Sequence, residues 1–214
     1  MYIRRILTDK LYKLAESFPV VVISGSRQVG KSTLLQNTLG MEAEIVVFDP
    51  VIDIENARQD PELFLNNHPT PLILDEIQYA PELVASIKRR IDLNRASGQY
   101  ILTGSQQWGV MKSMSESLAG RAVFLDLDSF CLLEISQNDS IIPWIARWLD
   151  SPDKFLSLNQ SRLTHKTTLY EQLWRGFLPE AQFMTTEVIP DFLAAYQRTY
   201  IERDVRLLAE VSDL

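Results

Sequence analysis

The stretch Phe18-Pro19-Val20-Val21-Val22-Ile23-Ser24-Gly25-Ser26-Arg27-Gln28-Val29-Gly30-Lys31-Ser32-Thr33 decides how this chain is read. Its first half is apolar, β-branched and uninterrupted, the composition of a strand buried on both faces of a parallel sheet. Its second half, Gly25 to Ser32, fits G-x-x-x-x-G-K-[ST]. The two glycines let the backbone curl so that consecutive N–H groups face an anion. A helix expected from about residue 30 to 39 turns its positive end to the same place. Lys31 can reach the outer phosphates of a nucleotide as a point charge, and the Ser32 hydroxyl suits Mg²⁺. Gly25, Ser26, Arg27, Gln28, Val29, Gly30, Lys31, Ser32 and Thr33 are therefore the candidate nucleotide-binding residues.

Outward from this loop the chain alternates. Residues 2–16 read as an amphipathic helix, with Ile3, Ile6 or Leu7, Leu11 and Leu14 near one face. Strands are expected at 18–25, 44–49, 70–76, 99–105 and 122–127, and helices at 51–67, 81–98 and 108–119. This alternation predicts an α/β fold, a parallel sheet covered by helices on both faces. After about residue 129 strand-like runs end, and Trp144, Trp148, Leu149, Phe155, Leu156, Leu169, Leu173 and Trp174 recur at helical spacings. The stretch 190–211 starts with Pro190 and places Leu193, Tyr196, Tyr200, Leu207 and Val211 along one side. The expected organisation is an α/β core with its N-terminal helix over residues 1–128 and a helical lid segment over 129–214.

The third strand, Pro71-Leu72-Ile73-Leu74, runs into Asp75-Glu76. Nucleotide hydrolysis needs one acid near Mg²⁺ and another to orient or deprotonate the attacking water. Asp75 is assigned to the metal and Glu76 to the water; both stand at the strand ends where open α/β sheets bind ligands. The fourth strand ends in Thr103-Gly104-Ser105; if it lies between the first and third, Thr103 or Ser105 could meet the γ-phosphate or the water, a reading that stands evenly with an ordinary strand-to-turn transition. Arg121, just before the fifth strand, is the best candidate for a cation that meets transition-state charge. Arg175, Arg198, Arg203 and Arg206 are further candidates from the lid, although each taken singly is more often a solvated or paired arginine.

Composition bounds the rest. The chain has 214 residues, 46% of them apolar, enough for one sizeable core with a satellite. A net charge of −7 argues against a surface that grips nucleic acid throughout. Cys131 is the only cysteine, so no internal disulfide is available, and a reducing, cytoplasmic setting is expected. No run approaches the roughly 18 apolar residues of a membrane span. His68 and His165 lack metal-ligand spacing and are expected at the surface, whereas Cys131, Trp144 and Trp148 are expected to pack in apolar cores. Lys88-Arg89-Arg90 with Arg95 reads as a solvated helix face more than as a contact for a phosphate backbone.

Taken in order, GSRQVGKST, LILDEIQ, ILTGSQ, SLAGRA and YIERDVRLL resemble the AAA+-type predicted ATPases of bacteria and archaea. The resemblance implies a P-loop core with strand order 5-1-4-3-2 and a helical lid. It implies ATP as the nucleotide, Ser105 near the sensor position, and Arg121 acting in trans within a homo-oligomer. Trp174-Arg175-Gly176-Phe177-Leu178-Pro179-Glu180 is similar to a segment of that group, with Phe177 where a second glycine is common, and is given no role. Longer members continue into a C-terminal domain similar to nuclease folds, so the chain is expected to be a fragment or a shortened product. The expected activity is Mg²⁺-dependent hydrolysis of ATP, with catalytic residues Glu76, Lys31, Arg121 and Ser105 and metal ligands Ser32 and Asp75. The alternatives are a low-turnover nucleotide switch read by a protein partner, or a regulatory module associated with nucleic acid.

Overall fold

A computed structural model describes residues 2–40, 42–49, 54–104, 114–137, 144–157 and 167–201. Five parallel strands form one sheet: β1 (Val20–Ser24), β2 (Glu44–Val47), β3 (Leu72–Asp75), β4 (Tyr100–Gly104) and β5 (Ala122–Asp126). Their order is β2-β3-β4-β1-β5, the order that the resemblance implies, read from the other edge. The register aligns Val20 with Tyr100 and with Ala122, and Leu74 with Leu102. The central strands β1, β3 and β4 are buried along their whole length, which explains why they read as unbroken apolar runs.

Because side chains alternate across a strand, each strand feeds two cores. Val20, Val22, Leu72, Leu74, Tyr100 and Leu102 pack on one face against Ala57, Leu65, Leu83, Ile87 and Ile91. Those partners come from α3 (Ile54–Gln59), α4 (Pro61–Asn67) and α5 (Leu83–Leu93). Val21, Ile23, Ile73, Ile101 and Leu125 pack on the other face against Leu11, Leu34, Leu35 and Leu39. Those come from α1 (Thr8–Ser17), α2 (Lys31–Thr38) and the turn that ends α2. Past β5 follow α6 (Leu132–Ile135), α7 (Trp144–Asp150), α8 (Pro152–Ser157), α9 (Leu169–Arg175) and α10 (Ile189–Tyr196).

Several expectations need correction. The N-terminal helix starts only at Thr8; before it Ile3 and Arg5 are buried while Arg4 and Ile6 are exposed, the two-residue alternation of an extended segment. The single helix expected over 51–67 is two, because Pro61 cannot continue α3 and Asp60 caps α4 by accepting from the Leu63 N–H at 3.0 Å. Cys131 is exposed, since it serves as the N-cap of α6. Trp148 is exposed too, and α9 is turned inside out: Gln172 and Arg175 are buried, while Leu169, Tyr170, Leu173 and Trp174 face outward. Residues 114–117 are helical and 118–119 form a turn; residues 108–113 of the 108–119 expectation lie outside the described residues, as do Ser105, His165, Arg203, Arg206, Leu207 and Val211.

Candidate functional site

The candidate site lies at the C-terminal edge of the sheet, where β1 runs into the phosphate loop. Gly25 is required by proximity: a Cβ there would stand 2.3 Å from the Leu127 carbonyl oxygen. Gly30 is required by conformation, with φ at 93° where it caps α2; a Cβ there would meet Arg5 and Pro179 only at ordinary contact distance, 3.9 Å. Lys31 closes the loop on itself, its ammonium donating to the carbonyls of Gly25 at 2.8 Å and Ser26 at 3.0 Å. Burial pulls this ammonium below the usual lysine range; the carboxylates of Glu76 and Asp75 oppose that, and the Arg27 guanidinium reinforces it. These mutual influences place Lys31, Asp75, Glu76 and Arg27 within electrostatic reach of one another.

The parity of the sheet explains how Asp75 arrives there. Ile73 and Ile101 face α2, so Asp75 and Thr103, two residues further along their strands, face α2 as well. The Thr103 hydroxyl donates to the buried Asp75 carboxylate and accepts from the Glu76 N–H at 3.1 Å. Thr103 is therefore a strut between the two acids, fully buried and not among the residues that line the cavity. Glu76 itself adopts a left-handed backbone, φ 60°, where β3 ends and a 3₁₀ turn (Ile77–Tyr79) begins. That conformation costs a non-glycine residue about 1–2 kcal/mol, and it separates the direction of the second carboxylate from that of the first. The Gln78 amide donates to the Glu76 carboxylate.

A cavity of about 500 Å³ joins these groups to parts of the chain far away in sequence. The loop residues Arg27 to Thr33 and Glu76 form one side. Tyr2, Ile3 and Arg5 from the extended N-terminus, and Phe130, Pro179, Glu180 and Phe183 from the helical segment, form the other. None of these seven was singled out from sequence for this site. Only Pro179 and Glu180 carry a signal, as the end of the Trp174–Glu180 segment that was given no role. The segment is held in place by its own bonds: the Gly176 carbonyl accepts from Gln172 at 2.7 Å and Gln182 at 2.9 Å, and Phe130 N–H donates to Phe177 at 2.9 Å.

The candidate arginines are placed elsewhere. Arg121 stands at the opposite, N-terminal edge of the sheet, the length of a five-residue strand away, about 16 Å. There it makes a two-pronged bond to Asp92, at 2.6 and 2.9 Å, so it does not serve the phosphate site of its own chain. Arg175 donates to the carbonyls of Ala181 and Met184 inside the helical segment, and Arg198 is exposed and absent from the cavity wall. Arg89 and Arg90 are both engaged by Glu62, and Arg95 by the Gly120 carbonyl, so the basic run is a paired helix face. Ser105 lies outside the described residues.

A family model described as AAA domain matches residues 17–136, which hold the phosphate loop, both acids and the whole sheet. The chain belongs to this family. This AAA domain is 27% identical over 143 residues to uncharacterized proteins of Mycobacterium tuberculosis and Mycobacterium bovis, a match that covers 66% of the chain and 32% of each relative. It thus spans about a third of the length of the curated relatives it matches. Among solved structures it is similar to a Walker-type ATPase of Pyrococcus abyssi, at 17% identity and TM-score 0.45, covering 75% of this chain and 60% of that one. It is also similar to AMPPCP-bound DnaA from Aquifex aeolicus, at 15% identity and TM-score 0.47, covering 96% of this chain and 63% of that one. Among the described residues, no helix is long and apolar enough to cross a membrane.

Proposed function

We propose that this AAA domain binds ATP with Mg²⁺ and hydrolyses it to ADP and phosphate, and that the helical segment over the site reports which nucleotide is bound. The observation that carries this reading is the meeting of a phosphate loop, Lys31 and Glu76 with apolar walls from Tyr2, Ile3, Phe130, Pro179 and Phe183 in one cavity. A cavity of about 500 Å³ with an anion-binding end and an apolar side matches a nucleotide's own division into phosphates and base. The Tyr2 hydroxyl is buried with no hydrogen-bond partner among the described residues, which supports a polar contact to the base or sugar.

The residues fit magnesium. Ser32 and Asp75 would supply oxygen, the donor that Mg²⁺ prefers, and the ion ordinarily needs only one or two protein carboxylates. When bound, the ion neutralises charge on the phosphates. The chain's own groups do the rest. Loop amides and the Lys31 ammonium hold and orient the phosphates. Thr103 holds the Asp75 carboxylate in one orientation. Glu76, positioned by its left-handed backbone, by Thr103 and by Gln78, orients the attacking water and takes up its proton. Arg121 contributes in trans from a neighbouring copy, after release from Asp92. The absence of more than one cysteine fits a reducing, cytoplasmic setting.

The test is Glu76→Gln. Phosphate release is expected to fall by about 10²- to 10⁴-fold, while ATP affinity, measured by calorimetry, stays within a few-fold of wild type. Equal phosphate release by both proteins would remove Glu76 from the chemistry, and stronger competition by GTP than by ATP would change the nucleotide.

A further inference from the structure

Two of the loop's carbonyls are held by side chains that belong to neither the loop nor its helix. Arg5 Nη1 donates to the Val29 carbonyl at 2.8 Å. The Tyr196 hydroxyl, from α10, donates to the Arg27 carbonyl at 3.1 Å. A peptide group is planar and trans, so holding its C=O also fixes the direction of the next residue's N–H. Arg5 therefore fixes the Gly30 N–H, and Tyr196 fixes the Gln28 N–H, two amides of the phosphate cradle.

Arg5 is placed for this with unusual completeness. It is 5% exposed and all three of its nitrogens are engaged. Nε donates to Glu134 at 3.0 Å, and Nη2 donates to the Asp128 carbonyl at 2.6 Å. The guanidinium carbon lies 4.8 Å from the centre of the Phe130 ring, which lines the cavity. Glu134 in turn accepts from Ile6 N–H at 2.8 Å and from Cys131 N–H at 2.9 Å. One buried ion pair thereby ties the extended N-terminus, the phosphate loop and the first helix after the sheet to each other.

We infer that Arg5 and Tyr196 are positioning residues for the phosphate loop, so that affinity for the phosphate tail is set from the N-terminal segment and from α10. Neither residue acts on the reacting atoms. Movement of α10 away from the loop releases the Arg27 carbonyl and weakens the cradle; a bound phosphate tail, in return, favours the docked position of α10. This inference rests on the proposed binding of nucleotide at the loop.

Arg5→Lys and Tyr196→Phe test it. Lysine keeps the charge beside Glu134 but cannot span three acceptors with a planar fork. Phenylalanine removes only a hydroxyl at a partly exposed position. Binding of ATP, ADP and AMP to each protein is read by calorimetry well below its melting temperature, and steady-state hydrolysis is measured beside it. Expected are affinities for ATP and ADP reduced at least tenfold in Arg5→Lys and three- to tenfold in Tyr196→Phe, with AMP affected much less. KM rises while kcat changes less than twofold. A purely structural role would lower the melting temperature yet leave the affinity of the folded protein unchanged, or reduce all three nucleotides alike; either result overturns the inference. So does a loss confined to kcat. If wild type binds no nucleotide, the proposed function fails and this inference falls with it; if wild type binds and both variants match it, this inference alone fails.

Discussion

Lys31 is buried against its own loop carbonyls, and its proton equilibrium records that position. Burial lowers its pKa in the folded protein, so the folded state releases the proton before the unfolded chain does. Between the lowered value and the ordinary 10.5, the unfolded chain binds more protons and unfolding free energy rises with pH. Below that window the burial of the charge is a constant cost. Wild type should therefore gain stability relative to Lys31→Met as pH rises from neutral toward 10.5, as read by urea unfolding at a series of pH values. A difference that moves the other way contradicts the burial. Tyr100, whose pKa burial raises, opposes this trend in both proteins and cancels in the comparison. Glycine carries a second prediction. Gly25→Ala puts a methyl group 2.3 Å from the Leu127 oxygen, and an overpacked site of this kind costs about 1–3 kcal/mol, measurable as a shift in denaturation midpoint.

Among elements, α5 shows what periodicity can and cannot reveal. Its buried stripe Val84, Ile87 and Ile91 was legible at helical spacing, and Ile87→Ala should cost about 2–5 kcal/mol. Leu93 in the same helix is 89% exposed, and Leu93→Ala should stay within about 0.5 kcal/mol; comparable losses at both positions would mean that the helix is misplaced. The five strands were legible because each is a short apolar run bounded by turn residues. The split of residues 51–67 is marked in the sequence by Asp60-Pro61, a helix cap followed by a residue that cannot continue the helix before it. The extended N-terminus was not legible as such, since Ile3 and Leu7 satisfy helical spacing whether or not a helix forms. Nor was α9, whose apolar side is its outward side. Spacing finds a stripe and is blind to whether that stripe turns in or out. Arg121, paired with Asp92 across from the site, yields a third element-scale prediction: Arg121→Ala should leave the nucleotide affinity of a single copy unchanged, and reduced affinity in dilute solution would place it in the cavity.

At the scale of the whole molecule, the parts least legible in sequence are those that close the cavity over long separations. Arg5 and Glu134 lie 129 residues apart and are both buried, and nothing local marks either as the other's partner. Glu134→Ala leaves the Arg5 charge buried without its partner, and should cost about 3–5 kcal/mol in thermal or urea unfolding; a loss below about 1 kcal/mol, the scale of an exposed pair, would show the pair to be solvated. The loop and the two acids, by contrast, were legible because their chemistry is local, with a glycine-framed turn and a strand that ends in Asp75-Glu76. Sheet order β2-β3-β4-β1-β5 then brings β3 and β1 to either side of β4, and the site forms at their shared edge. All of this leads to one binding event. The most direct measurement is a calorimetric titration of MgATP into wild type and into Lys31→Ala, with circular dichroism to establish that both are folded. The account predicts saturable binding to wild type and at least a hundredfold weaker binding to Lys31→Ala. Equal affinities in two folded samples would contradict it.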